Sequence, residues 1–218
     1  MQKIMETIFD LGYFAITIYL GVFILRRSNG KKLYWILGCM ALLLVFGDAF
    51  HLLPRIYSLW TAGMEANAAA LGIGKLVTSI TMTIFYVMFY HVWKLKYRIK
   101  DRKALTYAVY TLAVLRIALC LLPQNDWLNY DAPLEWGIYR NVPFALLGIL
   151  IIVLFYIEAK KNKDKAYRYL WLAICLSFGF YIPVVLFADM IPIVGMLMLP
   201  KTCAYVWMVW MGYRELKG

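Results

Sequence analysis

Seven apolar runs, each of bilayer-crossing length, follow one another along this 218-residue chain with little between them. A spanning helix needs about 20 mainly apolar residues, because every backbone N–H and C=O inside lipid must be bonded within the segment itself. The runs fall at about 5–25, 33–54, 71–93, 104–123, 142–159, 167–188 and 193–213. They predict an all-α polytopic integral membrane protein of seven transmembrane helices, a single transmembrane domain over residues 1–218. Composition agrees: 64% of residues are hydrophobic and 16% charged, against about 45–50% and 25% in soluble domains. The shortest connection, Asp189-Met190-Ile191-Pro192, is read as a turn between the last two spans.

The basic residues are distributed unevenly. Arg26, Arg27, Lys31 and Lys32 lie between spans one and two, six more between Lys94 and Lys103, five between Lys160 and Arg168, and Arg214 and Lys217 end the chain. Seventeen of the 23 lysines and arginines therefore fall on one side. By the positive-inside rule that side is the cytoplasm, which puts the N-terminus outside and the C-terminus in the cytoplasm of a cell (plasma) membrane. The net charge of +11 is then a record of topology and of contact with anionic membrane lipids. No basic motif accompanies it, so nucleic acid is not an expected partner.

Early acidic residues and a basic flank after the first run, at Glu6, Asp10, Arg26 and Arg27, read as a retained helix rather than a cleaved signal peptide. Cys39, Cys120, Cys175 and Cys203 all sit in apolar segments without zinc or redox spacing, and are expected to be core residues. His91, beside Tyr90 and Trp93 near the cytoplasmic end of span three, reads as an interfacial anchor.

Charge inside a span costs about 2.5–3.5 kcal/mol at mid-bilayer on insertion scales, so each such residue asks for a reason. Asp48 and His51 lie in the outer third of span two, Lys75 one turn into span three, Arg116 in span four, Arg140 and Asn141 at the start of span five, and Lys201 near the middle of span seven. All fall in the outer half, which predicts a cavity open to the outside over a dry inner half. Glu6, Arg55, Arg140 and Asp189, nearer the ends, are expected to snorkel to water. The i, i+3, i+7 spacing of Asp48, His51 and Arg55 puts them on one helical face, as an ion-pair ladder, a ligand pocket or an acid/base pair. Pro200 should free the Met196 carbonyl and kink span seven beside Lys201.

Seven spans, an external N-terminus and Lys201 in the last span resemble the microbial rhodopsins, as does Phe180-Tyr181-Ile182-Pro183 in span six. That resemblance implies retinal on Lys201 as a Schiff base. The chain departs from the family at Leu197, where an acidic residue usually stands one turn before the lysine, and in span three, which has no carboxylate. A second likeness is internal: Tyr34-Trp35, Cys39 and Phe46-Gly47 echo Leu170-Trp171, Cys175 and Phe178-Gly179. A three-one-three repeat of that kind resembles the sugar-transporter-like and PQ-loop families and implies transport.

These readings favour a transporter or receptor that binds a small polar or anionic molecule in an outward-facing intramembrane cavity. Asp48, His51, Lys75, Arg116, Arg140, Asn141 and Lys201 are its candidate ligand-binding residues, and no cofactor or metal is expected. The alternatives are a lipid-modifying enzyme using Asp48 and His51, and the rhodopsin-like retinal protein.

Overall fold

The structure, a computed structural model, describes residues 2–188 and 190–217; of the turn expected at 189–192, Asp189 lies outside the described residues, while the Met190 and Ile191 amides both bond the Phe187 carbonyl, at 3.1 and 2.8 Å. Seven helices carry the chain: α1 (Gln2–Arg26), α2 (Lys32–Trp60), α3 (Ala68–Lys96), α4 (Lys103–Leu121), α5 (Leu134–Lys161), α6 (Leu170–Phe187) and α7 (Met198–Lys217). Each is part of a helical stretch long and apolar enough to cross a membrane, and no strand occurs among the described residues.

The helices outrun the apolar runs. α2 continues through Pro54 and Arg55 to Trp60; membrane-spanning helices tolerate an interior proline, and the Phe50 carbonyl that Pro54 frees lies against Gly74 of the third helix. α5 begins at Leu134 rather than near 142, since its first two turns hold Trp136, Tyr139, Arg140 and Asn141, which a hydropathy window does not count. α7 differs in kind. A 3₁₀ segment, Pro192–Leu197, precedes it, and Pro200 falls in the first turn of the α-helix that begins at Met198. No kink within a continuous helix is needed, since a first-turn proline lacks an N–H that would have no intrahelical partner anyway.

Each helix packs on its neighbours in sequence and α1 closes on α7, so the seven form a ring, with α3 meeting α5 and α2 meeting α7 across the interior. α2 and α3 come closest. A Cβ at Gly74 would overlap the Phe50 carbonyl, and Thr78 donates a hydrogen bond to the Gly47 carbonyl at 2.9 Å. Apolar side chains such as Ile8, Val114 and Leu121 point outward, more than 60% exposed, the inverse of a water-soluble surface.

The two ends of the ring differ. At the end rich in lysine and arginine, Lys96 pairs with Asp164 at 3.2 Å and with Glu215, tying α3 to the α5–α6 connection and to α7. Asp164 also accepts hydrogen bonds from the Tyr97 hydroxyl and from the Ala166 and Tyr167 amides, at 2.9, 2.8 and 3.1 Å. Burial alone would raise its carboxyl. The Tyr167 amide, Lys96 and Tyr97 together outweigh that and hold it below the usual carboxylate range. His91 sits near this end, bonded to the Tyr110 hydroxyl at 2.9 Å.

Above that knot the interior is aromatic. Phe85, Tyr86, Phe89, Phe144 and Phe155 meet largely edge to face, with centroids 4.9 Å apart for Phe85–Phe89 and Tyr86–Phe144 and 6.0 Å for Phe89–Phe155. Of the cysteines, Cys120 is buried and Cys39 half-buried, but Cys175 and Cys203 lie on the outer surface of the ring. Membership of an apolar span does not decide which way a side chain faces when both directions are apolar.

Candidate functional site: a polar layer between four helices

The polar residues of the spans collect at one depth. Asp10, Asp48 and Lys201 are each sixteen residues, about 24 Å, from the basic end of their helices, and Arg116 is thirteen residues, about 20 Å, from its own. Local spacing aims them inward. Glu6, Asp10 and Tyr13 stand at i, i+4 and i+7 on α1, Asp48, His51 and Arg55 at i, i+3 and i+7 on α2, and Lys201 and Tyr205 at i and i+4 on α7.

A cavity of about 80 Å³ opens where these three faces meet. Asp10, Asp48, His51, Lys201, Thr202 and Tyr205 line it, with Glu6 and Arg55 toward the N-terminal end and Met5, Leu52, Met196 and Met198 as its apolar wall. Asp48 accepts a hydrogen bond from the Tyr13 hydroxyl at 2.7 Å. Glu6 pairs with Arg55 and is 9% exposed; it does not snorkel, because α2 extends far enough to supply a partner. Asp10 is 3% exposed and its Oδ2 has no hydrogen-bond partner among the described residues.

Lys201 is 8% exposed. Its ammonium rests on the faces of Tyr181 and Tyr205, 4.6 and 5.3 Å from their centroids. It faces Asp48 across the cavity at electrostatic range, yet among the described residues no carboxylate reaches ion-pair contact with it.

Arg116 is a second buried cation, 2% exposed. Its guanidinium stacks on Phe144, 3.4 Å from the ring centroid, while Nε and Nη1 have no partner among the described residues. Lys201, Arg116 and Tyr181 interact electrostatically, and the Tyr181 hydroxyl reaches the Asn141 side-chain oxygen at 3.4 Å. Asn141 thus touches the layer at its edge.

The other two candidates are placed differently. Lys75 is exposed, with its charge felt by His51 at the cavity. Arg140 donates to the Asn125 side-chain oxygen at 2.8 Å and lies over Trp127, 4.3 Å from its centroid. Asn125 in turn caps the C-terminus of α4 through the Leu119 and Leu122 carbonyls, at 2.7 and 2.8 Å, and Trp127 donates to the Cys120 carbonyl at 2.9 Å. A Cβ at Gly72 would overlap the Trp127 carbonyl, so this loop seats directly on α3. In this arrangement Arg140 anchors the loop.

Asp48 and His51 do not bond one another: Asp48 is taken by Tyr13, and His51 Nδ1 is buried without a partner among the described residues. The cavity beside Lys201 holds far less than the 300 Å³ or more of typical small-molecule pockets, so the described arrangement has no room there for a polyene. Tyr13 and Tyr205 are residues that sequence reasoning missed, although their helical spacing from Asp10 and Lys201 carried the signal. Comparison of the chain with protein-family models, curated proteins and solved structures gave no match.

Proposed function

We propose that this chain is a receptor or transporter of the cell membrane, N-terminus outside and C-terminus cytoplasmic, holding a small polar molecule with an anionic group against Lys201. The observation that carries the reading is the state of that lysine. Burying an ammonium at mid-span is costly unless it is paired, and Lys201 rests on tyrosine rings with Asp48 across the cavity and, among the described residues, no carboxylate in ion-pair contact. An incoming carboxylate or phosphate completes the pairing that the protein leaves open. Arg116, close behind, adds positive potential on the same side.

Titration of purified full-length protein in detergent with acetate and with inorganic phosphate tests this reading. We expect saturable binding of at least one, weakened at least tenfold by Lys201→Met, or about 1.4 kcal/mol. Absence of binding by both anions, or binding indifferent to the substitution, overturns it. Uptake into proteoliposomes then separates transporter from receptor. Orientation has its own test: cysteine introduced at Lys163 in a cysteine-free background should resist an impermeant reagent in intact cells and react after permeabilisation.

A further inference from the structure

The cavity has two walls of opposite character. α1 and α2 contribute carboxylates and α7 contributes an ammonium. On the acidic wall Glu6 is committed to Arg55 and Asp48 to Tyr13, which leaves Asp10 Oδ2 as a buried acceptor with no donor among the described residues. On the basic wall Lys201 has no described carboxylate in ion-pair contact. The carboxylate oxygen of Asp10 and the ammonium of Lys201 are therefore the unspent charged groups of a single cavity of about 80 Å³, beside the uncharged, unpartnered Nδ1 of His51.

A simple anion satisfies Lys201 but brings negative charge beside Asp10 and Asp48. A simple cation satisfies Asp10 and repels Lys201. Resting on the reading above, we infer that the ligand is a small zwitterion, with a primary ammonium directed to Asp10 and an acid group, carboxylate or phosphate, directed to Lys201. The ammonium must carry N–H groups, since a buried acceptor oxygen is satisfied by a hydrogen bond and not by charge alone. A quaternary ammonium requires open aromatic faces, and those of Tyr181 and Tyr205 already lie under Lys201. The volume limits the polar part to a few heavy atoms, so the two charges are separated by only one to three atoms. That chemistry occurs in free amino acids and in aminoethyl phosphate headgroups of lipids.

The test uses the full chain. Glycine, β-alanine, acetate and methylamine are titrated in detergent, and thermal stability is measured in nanodiscs of phosphatidylcholine with and without phosphatidylethanolamine. A zwitterion, free or lipid-borne, should outperform its parts: glycine or β-alanine binding at least tenfold tighter than acetate and methylamine, or stabilisation specific to phosphatidylethanolamine. Asp10→Asn should abolish that advantage by weakening the amino acids, while acetate, relieved of a like charge, binds no more weakly than before. Lys201→Gln should abolish binding of both the amino acids and acetate. Success with the free amino acids or only with the lipid assigns the source. Acetate binding as tightly as glycine, with Asp10→Asn silent in both formats, overturns the zwitterion while leaving the anion reading standing. Absence of any response, to the probes or to the lipid, removes both.

Discussion

The two halves of the ring solve opposite problems with similar helices. Near the basic end, the charges that turn inward are paired: Lys96 meets both Asp164 and Glu215, and the aromatic rings above them interlock. At the level of Asp10, Asp48, Arg116 and Lys201, four helices bring charge inward and leave part of it unmatched. In a bilayer, where lipid is as apolar as the core, stability comes from packing and from matched polar groups. Unmatched charged groups are therefore candidates for function, and the packed half, where the unpartnered polar atoms are the uncharged Tyr86 and Tyr167 hydroxyls and Trp93 Nε1, holds the frame in which they stand.

The comparison breaks first if packing is not concentrated where we place it. Phe89 is 2% exposed and meets Phe85, Tyr86 and Phe155. Phe89→Ala should cost about 3 kcal/mol or more of unfolding free energy in detergent. A loss below about 1 kcal/mol would show the aromatic half to be loosely packed.

A second test addresses the knot at the basic end. Because the Asp164 carboxyl is held below its ordinary range, its contribution is present above the unfolded-state pKa, about 3.9, and is lost as pH falls through the lower folded-state value. Asp164→Asn should thus destabilise the protein by about 1 kcal/mol at pH 7, with the difference from wild type shrinking below about pH 4. A difference that grows on acidification would reverse the assignment.

The smallest effect is expected in the polar half. Asp10 has an oxygen without a donor and two carboxylates nearby, Glu6 and Asp48. Asp10→Asn should leave stability unchanged or raise it by about 0.5 kcal/mol, and chemical denaturation in detergent reads this directly. Destabilisation beyond about 1 kcal/mol would make Asp10 a structural residue and erase the contrast between the halves.

Much of this arrangement was legible in the sequence, since hydropathy counts helices and charge depth places a polar layer. Asp48, His51 and Lys201 converge on one cavity as their spacing suggested. What escaped was side-chain reach across the chain. Arg140 opens an apolar run, and its contacts with Asn125 and Trp127 could not be foreseen because both lie in a loop where no periodicity reveals direction. Glu6 and Arg55 looked like ends seeking water for the same reason: the length of α2, not its hydropathy, decides that they meet.

The 3₁₀ segment ahead of α7 also sets where Lys201 stands. A 3₁₀ helix rises about 2.0 Å per residue with three residues per turn, an α-helix 1.5 Å with 3.6. Rewinding the six residues from Pro192 to Leu197 as α-helix would shorten the segment by about 3 Å and rotate the start of α7 by about 120°. Such rewinding would also place Pro200 inside a continuous helix with its ring against the Met196 carbonyl, so the 3₁₀ pitch and the proline together fix the height and bearing of Lys201 on the cavity wall.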